Sequence, residues 1–286
     1  MPEGDTIFRA ARTLHAALAG KPVTRFDAAY AHLRASNVDR PVVGRLVQTV
    51  RSIGKHLLIE FSNDLVLRTH MRMNGSWHIY RPAERWQRPA SAMRVVVATT
   101  DYVAVGFDIP VAEFHTARSL ARDETLSRIG PDLLSPNFDV QEVVGRMLIH
   151  ANEPILDVLL DQSVMAGVGN VYKCEILFIE GVNPMAITGQ LGQPILRNLV
   201  ALARKLLLAN VVPGKGDGIV THGLRHTTGR ADPSIRLWVY ARGGRPCRRC
   251  GSSIVGQPLG KHARITYFCP RCQPATSPPD RVSQQA

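Results

Sequence analysis

Two pairs of cysteines stand near the C-terminal end of the chain, Cys247 and Cys250 in "CRRC" and Cys269 and Cys272 in "CPRC". Eighteen residues separate the pairs. Four thiolates at such spacing can surround one Zn²⁺ tetrahedrally. The strand-like "RITYF" between them predicts two knuckles on a β-hairpin. Disulfides are the competing use of these thiols, disfavoured in a cytosolic chain. From Ala241 to Cys272 there are seven Lys or Arg and no Asp or Glu. A hairpin so basic suits contact with phosphates, where the alternative is a merely solvated surface. The fifth cysteine, Cys174, lies in the helical "VYKCEILFIE" and reads as a buried, inert thiol.

A second chemical possibility stands at the other end, in "MPEGDT". If Met1 is lost, Pro2 carries a free secondary amine, a nucleophile toward a sugar or carbonyl carbon. The plainer use of such a proline is to begin a helix. Glu3 could serve as general acid and base, or only complement the positive end of that helix. A third stretch, "LDQSVMAGVGNVYKCEILF", places a glycine turn before a helix opening at or just after Asn170. Asn favours the N-cap, and the N–H groups of the turn and helix could hold an anion. An ordinary turn between helices is the other reading.

Composition bounds what these residues can serve. The 286 residues allow roughly two domains, and 45% hydrophobic content supplies their cores. No apolar run reaches the roughly 20 residues that span a bilayer, and no leader precedes the first helix. The chain is therefore expected to be cytosolic. A net charge of +12 calls for a polyanionic partner. Nucleic acid fits best. An anionic membrane surface would need a basic amphipathic helix with an aromatic anchor, which the sequence lacks.

The elements that must position these groups follow from periodicity. Ile7, Ala10, Ala11, Leu14 and Leu18 predict a helix from about residue 3 to 18. Short β-branched runs follow, "PVTRFDAAY", "RLVQTVRSI", "HLLIEFS", "DLVLRTHM", "SWHIY", "AMRVVVATT" and "YVAVGFD", and predict a β-sandwich. After "RIGPDLLSPNFD" the pattern turns helical from 140 to about 212. The glycine-rich stretch 212–233 is expected to be mobile, and the hairpin comes next. The fold class expected is α+β and multidomain: residues 1–128 a sandwich with flanking helices, 129–235 helical, 236–273 the zinc hairpin and 274–286 a disordered tail.

Four motifs, "MPEGDT", "GKHLLIEF" at 54–61, "DQSVMAGVGNVYKCEILF" at 161–178 and "KHARITYFCPRCQ" at 261–273, resemble the formamidopyrimidine-DNA glycosylase and endonuclease VIII family of DNA-repair enzymes. The resemblance runs from residue 1 to about 273. It implies an N-terminal sandwich, a helix–two-turns–helix domain and a zinc finger. It assigns Pro2 as the nucleophile on C1′ of a damaged nucleotide, with Glu3 as general acid and base. Lys55 and Arg264 are then the catalytic cations, Lys55 near the sugar and Arg264 on a phosphate for the second elimination. Asn170 holds a further phosphate. Arg72, Met73 and Asn74 become candidates for the wedge that fills the vacated stack, with core packing the competing use of Met73. His70 reads as structural. The partner implied is double-stranded DNA with damaged bases or abasic sites, bound by a monomer. "MPEGDT" is more similar to the endonuclease VIII branch, which implies oxidised pyrimidines. Thr6 departs from the glutamate many relatives carry there, and "DIPVAEFHTARS" does not match the loop of the purine-specific branch. Oxidised purines, and a non-catalytic damage-binding protein, are the alternatives.

Overall fold

The computed structural model describes residues 2–211, 225–229 and 235–275. Met1, most of the stretch expected to be mobile and the tail beyond 275 lie outside the described residues. The chain divides into two compact units, one of residues up to Arg128 joined by Val211–Gly223, the other of Ile129–Asn210 and residues from Leu224 onward.

The first unit opens with α1 (Gly4–Leu18), whose five periodic apolar residues are all buried. Eight strands follow: β1 (Arg25–Ala28), β2 (Val47–Ile53), β3 (His56–Phe61), β4 (Leu65–His70), β5 (Ser76–Tyr80), β6 (Met93–Ala98), β7 (Val103–Phe107) and β8 (Val111–His115). They form two antiparallel four-stranded sheets, ordered β2-β3-β4-β8 and β1-β6-β7-β5. Val50, Leu57, Ile59, Leu67, Val95, Val97 and Trp77 share one core with the apolar face of α1. β-Branched and aromatic residues suit such half-buried pleated surfaces. α1 packs against β2, β3 and β5, so its N-terminus is carried by the sandwich.

Four elements of this unit were absent from the periodicity reading, a second helix, strand β8 and two short helices after it. Helix α2 (Ala31–Asp39) buries only Leu33, so it has no apolar stripe to announce it. Strand β8 lies in "DIPVAEFHTARS", and its residues are mostly half-buried, without alternation. It is the edge partner of β4. Two short helices, α3 (Ala117–Ala121) and α4 (Glu124–Ser127), close the unit.

The second unit contains α5 (Val140–Ile149), α6 (Ile155–Val158), α7 (Asn170–Glu180) and α8 (Gly192–Ala209). Leu156, Leu159, Met165, Tyr172, Ile176, Leu199, Val200 and Leu207 form their core. The hairpin of β9 (Val255–Leu259) and β10 (Arg264–Phe268) belongs to the same unit. Under it, Cys174, Phe178, Val239 and Ile254 make a small core with Cys247 and Cys269. No helix among the described residues is long and apolar enough to cross a membrane.

Candidate active site

In the first unit, α1 starts at Gly4 with Glu3 as its N-cap. Pro2 therefore stands ahead of the helix, outside its first turn, which is not the helix-opening position the plainer reading gave it. The Glu3 carbonyl accepts from the N–H groups of Thr6 at 3.0 Å and Ile7 at 3.1 Å. Its side chain makes no capping bond, yet the residue is fully buried. Asp5 is buried as well and pairs with Arg9 at 3.5 Å.

Lys55 sits in the two-residue turn joining β2 to β3, where Ile53 faces His56 across the hairpin. The turn needs Gly54, whose φ of 54° puts the chain in the left-handed region. This turn brings Lys55 within electrostatic range of His56 and His70. The two histidines face each other across β3 and β4, with ring centroids 4.8 Å apart. Burial, then the neighbouring His70, pushes the His56 pKa down to about 3. Burial, then Lys55, pushes His70 down to about 4. Both rings are thus neutral at pH 7. His70 Nδ1 accepts the Arg72 backbone N–H at 3.0 Å, fixing the loop that follows β4. Here is the structural role expected of His70. In the loop it holds, Arg72 adopts φ 46°, and Arg72, Met73 and Asn74 are all exposed. Met73 is 61% exposed, which removes the core-packing reading of that residue.

Glu113, His115 and Asp123 also gather, close enough to suggest a metal. The Arg68 guanidinium already supplies the positive charge there. It contacts Glu113, lies 3.4 Å from Asp123, and donates from Nε to His115 Nε2 at 3.4 Å.

In the second unit, the turn before α7 is held by Gln162, a residue sequence reasoning passed over. Its amide nitrogen donates to the carbonyls of Leu160 at 2.9 Å and Val168 at 3.0 Å, and its oxygen accepts the Gly167 N–H at 3.2 Å. Gly169 is the N-cap of α7, so Asn170 is the first helical residue and not the cap. Its buried side chain turns instead toward the hairpin, donating from Nδ2 to the Ile265 carbonyl at 2.8 Å. Arg264 opens β10 opposite Leu259 and is exposed.

The hairpin's cations are not all directed outward. Arg249 donates to the last-turn carbonyls of α7, Phe178 at 3.3 Å and Ile179 at 3.2 Å, with its guanidinium over the Phe178 ring. Arg242 bonds the carbonyls of Trp238 and Pro246. Lys261 pairs with Glu153 at 3.3 Å, and its N–H reaches both Asp157 oxygens at 3.1 Å. Gly260, with φ 75°, makes this docking possible, since a Cβ there would stand 2.4 Å from Asp157 Oδ1. Three of the seven basic residues thus hold the finger in place. Two further anchors carry no signal in local sequence. Glu175, fully buried, accepts the N–H groups of Trp238 at 2.8 Å and of Val239 and Tyr240 at 2.9 Å, plus the Thr227 hydroxyl. Burial pushes its pKa up, and those four hydrogen bonds oppose the rise. Gln273 donates to the Val182 carbonyl at 2.8 Å and accepts from the Cys269 N–H at 3.0 Å.

The four paired cysteines converge, all sulfurs lying within 4.8 Å of one another. Cys247 and Cys272 are 3.9 Å apart and Cys250 and Cys269 are 3.5 Å apart. A tetrahedral ion with bonds of about 2.3 Å sets sulfurs about 3.8 Å apart, and a disulfide would need about 2.05 Å. The set therefore fits one metal ion. Burial pushes the Cys269 and Cys272 thiols up, while hydrogen bonds from Ser252 bring Cys250 down to about 6. A bound cation would favour the thiolate at each.

Comparisons with known proteins bear on the whole chain. Residues 1–121 match the formamidopyrimidine-DNA glycosylase N-terminal domain, and residues 129–221 match that family's H2TH domain. A probable endonuclease 8 2 from Streptomyces coelicolor is 39% identical, covering 97% of this chain and 96% of the relative. The DNA-(apurinic or apyrimidinic site) lyase Nei2 of Mycolicibacterium smegmatis is 38% identical, over 96% of this chain and all of that one. Endonuclease 8 of Escherichia coli is 34% identical over the same shares. Among solved structures, Lactococcus lactis Fpg bound to DNA containing N7-benzyl-Fapy-dG superposes with a TM-score of 0.79 at 22% identity, covering 96% of this chain and all of that one. That likeness gives the fold: sandwich, helical domain and cysteine-bearing hairpin in the same order. With the family's domains matched over most of its length and relatives matched end to end, the chain belongs to the formamidopyrimidine-DNA glycosylase and endonuclease VIII family.

Proposed function

We propose that this protein is a bifunctional DNA glycosylase and AP lyase of base-excision repair, with the Pro2 amine, freed by removal of Met1, as nucleophile. The observation that carries this reading is the start of α1, where Pro2 precedes a buried Glu3 whose side chain is not used to cap the helix. An α-amino group has a reference pKa near 8. The positive end of α1 disfavours its protonated form, leaving more free amine at neutral pH. The nitrogen attacks C1′ of an extruded nucleotide, and the bond from C1′ to the base breaks. Glu3 delivers a proton to the sugar ring oxygen, the ring opens, and an iminium links Pro2 to C1′. That cation acidifies the C2′–H. Loss of this proton expels the 3′ phosphate, and a second elimination can release the 5′ phosphate.

The other residues divide along the domains read from sequence, 1–128, 129–235 and 236–273. Lys55 binds phosphate and moves protons near the sugar. The exposed Arg72, Met73 and Asn74 enter the stack that the nucleotide vacates, Met73 foremost. Arg264 grips a phosphate with its fork. Asn170 gives one amide hydrogen to Ile265 and has a second for another phosphate. Cys247, Cys250, Cys269 and Cys272 hold one structural Zn²⁺, which supplies no chemistry to the reaction and fixes the hairpin carrying Arg264. The protein acts as a cytoplasmic monomer.

Oxidised pyrimidines are the preferred substrates in this reading. Only three residues separate β7 from β8, which supports a site without a long loop to read the orphaned base. Recognition then rests on how readily a base leaves the stack, and a saturated pyrimidine ring stacks poorly. Single-turnover rates on matched duplexes test this: thymine glycol should be released faster than 8-oxoguanine opposite cytosine, and the reverse order would assign the purine alternative. The chemistry itself is tested by borohydride reduction on abasic-site DNA with mass mapping of the adduct. Linkage at the N-terminal peptide is expected. Linkage to a lysine peptide, or no adduct, would refute the assignment of Pro2, the latter favouring a non-catalytic damage binder.

A further inference from the structure

Where α7 meets the hairpin, its contacting face is polar. Asn170, Lys173 and Cys174 stand at i, i+3 and i+4, on one side of the helix, and touch three successive residues of β10. Asn170 donates to the Ile265 carbonyl at 2.8 Å, Lys173 Nζ donates to Thr266 Oγ1 at 2.7 Å, and the Tyr267 N–H reaches Cys174 Sγ at 3.4 Å. The Thr266 hydroxyl donates onward to the Arg264 carbonyl at 3.1 Å. Two polar side chains of α7 thus hold the carbonyls of Arg264 and Ile265, one directly and one through a hydroxyl.

Lys173 is the unexpected member. It is fully buried, as is Thr266. Lysine is almost never fully buried unless it is paired, because an ammonium loses its hydration there. Packing alone would be served by methionine or leucine of like length, and Ile176 and Leu177 fill that role one turn later. A buried lysine nitrogen has directional donors that an apolar chain lacks. It can orient the Thr266 hydroxyl so that its oxygen accepts from Lys173 and its hydrogen points at the Arg264 carbonyl. The exposed Arg264 side chain then leaves a backbone that is fixed from behind.

We infer that Lys173 is a positioning residue for Arg264, acting through the Thr266 hydroxyl. The inference rests on the phosphate grip proposed for Arg264 and adds the residues that aim it. It places the specification of the finger's key cation on α7, outside the metal knuckles.

The test uses full-length, zinc-loaded protein and a duplex carrying a tetrahydrofuran abasic analogue, which binds without being cleaved. Affinity is measured against salt concentration, because each phosphate contact contributes about 0.9 to the slope. Arg264→Ala should lower that slope by about one contact. Lys173→Met and Thr266→Val should each reproduce most of that loss while retaining one zinc per chain. Thr266→Ser, which keeps the hydroxyl, should match the wild type within about twofold in affinity. Adding Lys173→Met to Arg264→Ala should cost nothing more. Unchanged slopes in both Lys173→Met and Thr266→Val overturn the inference. So do losses that multiply with Arg264→Ala, or loss of zinc in both variants. Failure of the enzymatic reading shows separately, as a wild-type protein that traps no adduct, and leaves the binding slopes readable.

Discussion

Two helix starts, those of α1 and α7, are built alike and used in opposite senses. Each is buried through its first turn, and neither is capped by a side chain of its N-cap residue. Each therefore presents the positive end of a helix that its own N-cap side chain does not cover. What precedes each helix decides what that field does. Ahead of α1 stands Pro2, where the proposed reading uses the field to favour a free amine once Met1 is removed. Ahead of α7 stands a glycine turn braced by Gln162, where the proposed reading uses the field to favour a phosphate. The same contrast extends to the surroundings. Near Lys55, burial keeps His56 and His70 neutral. Around α7, Lys173 is buried outright with its Nζ donating to the Thr266 hydroxyl. In the first unit burial keeps two histidines neutral beside a buried, paired Arg68; in the second, Lys173 and Arg249 turn inward onto hydrogen-bond acceptors.

The contrast would break most sharply at the amine. A protein in which Met1 is blocked and retained should lose base release and strand cleavage by on the order of 10³-fold or more, while binding abasic-analogue DNA within a few-fold of the wild type. Full cleavage by that protein would mean the start of α1 has no part in the chemistry. Next in size is the metal. Chelation, or Cys269→Ser, should abolish strand cleavage by releasing the hairpin, with the loss falling on DNA affinity. Metal analysis should find one zinc per chain; finding none, or full activity in the serine variant, would separate the cysteines from phosphate binding.

A third measurement addresses the neutral histidines. Their folded pKa values, about 3 and about 4, lie below the unfolded value of 6.5. Between those limits the unfolded chain binds more protons, so stability falls as pH drops from 6.5 toward 4. The melting temperature of the first unit should decline over that window, and His70→Gln should flatten the decline. An unchanged profile in that variant would mean His70 is not held neutral by its surroundings. The smallest effect is expected at the wedge. Met73→Ala should slow base release by about fivefold to tenfold on a paired lesion, because a few kcal/mol of unstacking is no longer partly offset. Release from single-stranded substrate should be unchanged.

Much of this was legible because it is written locally. The helix of residues 4–18 and seven of the eight strands follow from apolar period, and the cysteine set follows from spacing. Helix α2 escaped because a helix that buries only Leu33 has no stripe to detect. Other features escaped because their partners are far away in the chain. Asn170 read as a cap, since the Ile265 carbonyl that claims its side chain lies 95 residues on. Arg242, Arg249 and Lys261 read as outward charge, since a count of cations does not say which meet a carbonyl or carboxylate inside. Glu175 drew no reading within the helical "VYKCEILFIE". Its three backbone donors come from residues 238–240 and are visible only once the chain has folded back.

The docking of Gly260 and Lys261 on Asp157 makes the hairpin a ruler. One end is fixed by the cysteine knuckles and the other by a carboxylate on α6, so the number of residues between them sets where Arg264 stands. A strand advances about 3.3 Å per residue. Adding one residue to each strand would push the tip past Asp157 or slide Arg264 by about that distance, as far as a hydrogen bond is long. A change in the length of this hairpin would therefore displace Arg264, though both its strands lie largely at the surface.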